Sequence, residues 1–219
     1  MDLKPLFLSL FFAVLASING VAQYSSEDWE ERDAWMNVAE IYEMAQIEEG
    51  MHVADVGCHE GYLTIHLSRK VAHGGKVYAV DVEDYRLDDL KEHLKERKLN
   101  NVEVILGDYD NPKLPTGRLD AVIVMDTYHE IEEYMKVLAH IKTALKPNGR
   151  LLILEKLKIE KRGMSRAEQA RGHTLSSKYV EEELQEAGFT IEKEVKDFGD
   201  WQENDEKQMW ILVATKKDE

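Results

Sequence analysis

The stretch Val53-Ala54-Asp55-Val56-Gly57-Cys58-His59-Glu60-Gly61-Tyr62 sets an apolar run, an acid, two glycines four residues apart and the start of an amphipathic helix in direct succession. That order builds a strand, a tight turn and a helix N-terminus, with bare backbone that a ligand can approach closely. Asp81 stands twenty residues past Gly61 and closes the next apolar run, Val77-Tyr78-Ala79-Val80. An acid there suits the ribose hydroxyls of a nucleoside. A dinucleotide fingerprint beginning at Gly57 requires glycine where His59 and Tyr62 stand. A nicotinamide oxidoreductase is therefore a poor fit, while an ordinary strand–helix turn remains the plain alternative.

Apolar runs and helical patterns alternate from residue 53 to about residue 190, which implies a parallel sheet covered on both faces. A third strand is expected over residues 101–107, ending in Asp108-Tyr109-Asp110. A fourth, Leu119–Met125, is interrupted only by Asp120 and ends in Asp126-Thr127-Tyr128-His129-Glu130-Ile131. The fifth, over residues 151–155, follows Lys146-Pro147-Asn148-Gly149-Arg150. Helices are expected over Tyr62–Val71, closed by His73-Gly74-Gly75, and over residues 87–98, 134–145 and 176–187. The last has Ser176 as N-cap and Gly188 as terminator. Two late strands are expected at residues 190–198 and 208–216. The 219 residues, 43% of them hydrophobic, suffice for one sizeable core.

The pattern Asp55-x-Gly57-x-His59-x-Gly61 resembles the first motif of the class I S-adenosylmethionine-dependent methyltransferases. The turn at Lys146-Pro147-Asn148-Gly149 looks much like the one before that family's fifth strand, and the likeness runs from about Val53 to Lys216. It implies an α/β fold, a Rossmann-like doubly wound sheet of seven strands, mostly parallel with an antiparallel last pair. It also implies S-adenosylmethionine as cofactor, an amino acid joined to a nucleoside that needs no phosphate cradle. The cofactor-binding residues carried over are Asp55, Gly57, His59, Gly61 and Asp81. Asp108 and Tyr109 follow the third strand, where an acid meets the adenine amino group, and Asp126 borders the transferring methyl. His59 departs from the family pattern, which has glycine there, and is expected to crowd or contact the methionine end.

Methyl transfer from a sulfonium is an in-line displacement, so the protein mainly holds two reactants in line. A general base matters only if the acceptor must lose a proton. Asp126, Tyr128 and His129 are the catalytic candidates, because open α/β sheets bind ligands at the carboxyl ends of their strands. His129 is the expected base, since imidazole titrates near neutral pH, with Asp126 or Tyr128 orienting the acceptor. The plainer reading makes this segment a pocket wall, with Glu130 capping the next helix. His173, in Arg171-Gly172-His173-Thr174, is a second candidate over the pocket mouth or a plain loop histidine. No metal is expected: Asp126, His129, Glu130 and His173 are suitable ligand types but lack a close-spaced signature. Some O-methyltransferases of similar fold carry magnesium after the fourth strand, with further acidic or amide ligands that are not identifiable here.

Lys4 precedes an apolar run at residues 6–18, and Gly20-Val21-Ala22 then offers a cleavage site before Gln23. These are the parts of a secretory signal peptide, and the run is shorter than the about 20 residues a spanning helix needs. The expected organisation is a signal peptide over 1–22, a helical segment over 23–50 and a methyltransferase domain over 51–219. The expected location is the periplasm, with no stable membrane anchor after cleavage. Trp29, Arg32 and Trp35, in the arrangement W-x-x-R-x-x-W, resemble a set of bacterial methyltransferase-domain proteins with signal peptides. With Met36, Val38, Ile41 and Met44 they form either a lid over an apolar acceptor pocket or a helix packed on the sheet edge. A formal net charge of −15 argues against a nucleic-acid backbone as partner. The basic stretch at 156–162 reads as a loop after the fifth strand, at most a dock for an acidic acceptor. Lone Cys58 forms no intramolecular disulfide and reads as a packing residue. The expected partner is a small-molecule or lipid-like acceptor. An exported nucleoside-binding protein without methyl transfer is the alternative.

Overall fold

A computed structural model describes residues 29–199 and 206–216. The signal segment and the expected start at Gln23 lie outside the described residues. Seven strands, β1 (His52–Val56), β2 (Lys76–Asp81), β3 (Val102–Leu106), β4 (Leu119–Met125), β5 (Leu145–Lys158), β6 (Phe189–Val195) and β7 (Lys207–Lys216), form one sheet in the order β3-β2-β1-β4-β5-β7-β6. The pairs among the first five strands are parallel, and β7 runs antiparallel to both β5 and β6. Helices α1 (Trp29–Trp35), α2 (Val38–Ala45), α3 (Tyr62–Val71), α4 (Asp84–Glu96), α5 (Tyr134–Ala144), α6 (Arg166–Ala170) and α7 (Ser177–Glu186) cover it. Among the described residues no helix is long and apolar enough to cross a membrane.

The strand pattern explains the layers. Successive strand side chains point to opposite faces, and both faces here are covered. Val53, Val77, Ile123, Leu152 and Ile211 pack with α2 and α3 on one face. Ala54, Val122, Val124, Ile153 and Leu212 pack with α5 and α7 on the other. Leu87, Leu90 and Leu94 of α4 extend the first face over Ala79. Continuous apolar runs are what doubly covered parallel strands require.

Several boundaries differ from the sequence expectation, α4 spanning Asp84–Glu96 and β6 Phe189–Val195 among them, and three differences bear on the packing. The Lys146-Pro147-Asn148-Gly149 turn lies inside β5 as a bulge, where the pairing jumps from Leu119↔Leu145 to Ala121↔Arg150. A Cβ at Gly149 would meet the Leu119 carbonyl oxygen at 2.8 Å. The basic stretch at 156–162 is not a loop at its start, because the ladder with β7 continues to Lys158↔Lys207. Helix α3 ends on Ala72 at φ 48, ahead of the expected glycines.

The segment before β1 is a layer of the core. It breaks into two helices at Met36-Asn37, and the Asn37 side chain accepts the Glu40 N–H to cap α2. Met36, Ile41, Met44 and Ala45 are buried against β4, β5 and β7, on the sheet face rather than its edge. Ile41 is fully buried, so Ile41→Ala is expected to lower the free energy of unfolding by about 2–5 kcal/mol in urea denaturation. A loss below about 0.5 kcal/mol, the usual range for surface sites, would show that α2 is not a structural layer.

Candidate active site

Chain order reverses between β1 and β4, which pair in register from Val53↔Ala121 to Val56↔Val124. Ligand crevices of open α/β sheets lie at the carboxyl ends of the strands flanking such a reversal. The loops leaving the two strands touch there. Gly57 has φ +77, and a Cβ on it would lie 2.2–2.6 Å from three atoms of the Thr127 side chain. The Thr127 hydroxyl donates to the Gly57 carbonyl at 3.3 Å or to that of Met125 at 3.2 Å. Gly61, at φ +98, opens α3 and lets Leu90 of α4 sit where its Cβ would be. Both glycines are thus required by backbone angle and by neighbours.

Two carboxylates line this loop. Asp55 is buried at the end of β1 and accepts the Thr64 hydroxyl at 2.6 Å. Burial raises its pKa to about 6, the Thr64 hydrogen bond opposes the rise and the charge of Asp81 adds to it. Asp81, ending β2, accepts the backbone N–H of His59 at 2.8 Å and that of Glu83 at 3.0 Å. Each of its oxygens keeps a lone pair for a further donor. His59 takes the left-handed conformation, φ 51, that glycine would adopt freely. Burial and the Arg86 guanidinium lower its pKa, which keeps the imidazole neutral at pH 7. Burial pushes the Cys58 thiol up, as suits a packing residue. These groups fit a cation joined to a ribose: acceptors for a diol at Asp81, and an under-compensated carboxylate at Asp55.

Asp108 and Tyr109 lie on the same edge of the sheet, farther out. The Asp108 carboxylate is exposed and pairs with Lys113 at 2.9 Å, and Tyr109 is 75% exposed.

A second polar cluster stands just after β4 and in the last residues of β5. Asp126 has φ 55, and its carboxylate forms a buried ion pair with Lys156. Burial raises the Asp126 pKa against the pull of the Lys156 ammonium. Glu155, fully buried, accepts from the His129 backbone at 3.0 Å and lies 2.8 Å from its Nδ1. Burial draws the His129 pKa down, but Glu155 and Glu130 outweigh it and lift it to about 9. Glu130 does not cap α5, whose N-cap is Glu133; it faces His129 and His173. Tyr128 corrects the sequence expectation. It is fully buried among residues of the α5/α7 face, and its hydroxyl donates to Glu183 of α7 at 2.9 Å. It orients a helix, not an acceptor. His129 likewise has no exposed side-chain surface and so is not a free base.

Sequence reasoning missed Lys156 and Glu155. Their clue was the alternation of β5: an acid and a lysine directly after Leu151-Leu152-Ile153-Leu154 cannot both face solvent in a covered strand.

The raised pKa of Asp55 has a sign. Ionisation is disfavoured in the folded chain, so no penalty exists below about pH 4, and it grows through pH 6 to about 3 kcal/mol above it. Asp55→Asn, whose amide oxygen can still accept from Thr64, should raise stability at pH 8 by roughly 1–3 kcal/mol. The gain should vanish by pH 4. Thermal denaturation at the two pH values checks this, and a gain independent of pH would refute it.

A family model described as "Methyltransferase domain" matches residues 47–210. A SAM dependent methyltransferase from Aquifex aeolicus superposes with TM-score 0.72 at 25% identity, over 88% of this chain and 98% of that one. The [4+2]-cyclase SpnF has the same fold, at TM-score 0.70 and 20% identity, over 82% of this chain and 80% of that one. Among curated proteins, (S)-coclaurine N-methyltransferase of Thalictrum flavum subsp. glaucum is 31% identical over 55% of this chain and 33% of its own length. Demethylmenaquinone methyltransferase of Geobacillus sp. (strain WCH70) is 31% identical over 50% of this chain and 47% of its own length. The chain thus spans between a third and a half of these two relatives. The matched model covers most of the chain: the protein belongs to the methyltransferase domain family, and its cofactor is S-adenosylmethionine.

Proposed function

We propose that the chain transfers a methyl group from S-adenosylmethionine to a small-molecule or lipid-like acceptor. The observation that carries this reading is the set of carboxylates gathered where the loops leaving β1 and β4 touch. On one side Asp55 and Asp81 present negative charge beside the Gly57–Thr127 contact. On the other, Asp126, Lys156, Glu155 and His129 form a buried, internally paired wall. When bound, S-adenosylmethionine supplies an activated methyl on a sulfonium. Asp81, with its carboxylate oriented by two backbone N–H groups, holds the ribose hydroxyls. Asp55 compensates positive charge. Gly57 and Gly61 let the backbone come close, and Asp126 borders the reacting end. Positioning of this kind supplies roughly 7–11 kcal/mol of a displacement barrier without a dedicated base.

The two relatives named above act, by their names, on coclaurine and demethylmenaquinone, which supports a small-molecule acceptor without choosing one. The apolar leader at residues 6–18 supports export, and the acidic surface supports no nucleic-acid role. One observation favours a binding protein without transfer: the Tyr128 hydroxyl donates to Glu183 and His129 Nδ1 is held by Glu155, so neither atom is free for an acceptor.

Calorimetric titration with S-adenosylmethionine and S-adenosylhomocysteine tests the reading. Micromolar binding is expected, weakened at least about tenfold in Asp81→Ala, the effect of losing about 1.4 kcal/mol of hydrogen bonding. His59→Gly should retain binding, since it removes a left-handed non-glycine residue; complete loss would make the imidazole a specific contact. No binding to either ligand would end the methyltransferase reading, and binding without turnover on any acceptor would favour the binding protein.

A further inference from the structure

His173 stands in the loop between α6 and α7 with φ 52, and that loop is pinned to β5 on both sides of it. The Thr174 hydroxyl donates to the Lys156 carbonyl at 2.7 Å and accepts the Lys158 N–H at 2.8 Å. The Lys158 ammonium donates to the Gly172 carbonyl at 2.8 Å. The imidazole so held lies with Nδ1 3.4 Å from Glu130 Oε1, and that same oxygen is 3.6 Å from His129 Nε2. The three ligand-type atoms lie within 4.8 Å of one another.

We infer that His129, Glu130 and His173 form a binding site for one divalent transition-metal ion of the zinc class, with a coordination position left open. Bonds of about 2.0–2.1 Å to tetrahedral zinc set neighbouring ligand atoms about 3.3–3.4 Å apart. Two of the three separations are already within a few tenths of an ångström of that. His129 Nε2 is buried and has no hydrogen-bond partner, while Nδ1 is committed to Glu155. A carboxylate on the far nitrogen of a ligating imidazole is the usual support of a metal-bound histidine, fixing the ring and directing its other lone pair. Glu155 is itself fixed, since the Lys156 backbone N–H also reaches it at 3.2 Å.

The charges agree. Asp126, Glu155 and Glu130 bring three carboxylates to the cluster, against the Lys156 ammonium and, farther out, that of Lys207, so the cluster attracts a divalent ion. It would take the place of a proton on Nε2. The neighbouring trio of Asp126, His129 and Glu155 is not the site, because Lys156 already supplies its cation. Two imidazoles and one carboxylate favour zinc, cobalt or nickel over magnesium, which prefers oxygen. The Glu130 and His173 side chains are 58% and 64% exposed. That gives an ion an entry path and leaves its open position to water or to an acceptor oxygen or sulfur.

The test uses the untagged protein, stripped with a chelator that is then removed, and titrated with zinc and with cobalt. It does not depend on cofactor binding. One zinc per chain is expected by calorimetry and by mass spectrometry, with a visible cobalt spectrum of nitrogen and oxygen ligation. His173→Ala and Glu130→Gln, both exposed and compatible with folding, should each weaken binding at least about tenfold, the lower end for loss of a supporting group. Glu155→Gln should weaken it by about 10–100-fold. Melting curves of the metal-free variants confirm that they are folded. No binding to the wild type would overturn the site. So would equal affinity in His173→Ala, which would place the ion among the other histidines.

Discussion

The parallel pairing of β1 with β4 is the constraint from which the rest of this molecule follows. It joins two halves wound in opposite directions and brings two loops out of the sheet at the same point. Because the strands are in register up to Val56↔Val124, the loops meet within a residue or two of their starts. Gly57 and Thr127 then compete for one volume, and the absence of a side chain on Gly57 settles it. A methyl group there would push β4's exit away from β1's and change the width of the crevice. Asp55 and Asp126, each just ahead of its own side of the contact, are spaced by it.

Three of the seven non-glycine residues with positive φ among the described residues, His59, Asp126 and His173, belong to the site, one after β1, one after β4 and one over the end of β5. Such conformations persist only where surrounding contacts over-determine them. Here those contacts are the Asp81 bond to the His59 N–H, the Lys156 pair on Asp126 and the Thr174 anchor beside His173.

The fold was largely legible because its signals are local and repeated. Glycine and serine marked α3 and α7, continuous apolar runs marked the strands, and α3 and β4 match their expected bounds. The glycine loop and Asp81 were legible for the same reason. The second cluster was not, because its members meet through long-range pairing. Lys156 reaches Asp126 only because the β5–β7 ladder continues past Glu155, carrying a residue read as loop into the interior. Tyr128 and His129 are adjacent in sequence, yet a single 3₁₀ turn at Tyr128–Glu130 sends one toward α7 and the other toward Glu155. No spacing rule separates neighbours in a turn of that kind.

The two walls of the crevice differ in how their charge is held, and this difference bears on what can bind. The Asp126, Lys156 and Glu155 wall closes its own account: each buried carboxylate has a cation or donors beside it. Breaking such a pair costs several kcal/mol because the partner is left buried and alone, so this wall is rigid. Asp55 is helped by Thr64 and by the charge of Arg32, but burial and a second carboxylate nearby outweigh them and raise its pKa. Its ionised form is a standing cost in the folded protein, and a cation in the crevice removes that cost. A neutral ligand of the same shape would not. On the proposed function, the first wall is where the sulfonium form of the cofactor would be told from its neutral demethylated product, and the second would supply a fixed frame for both.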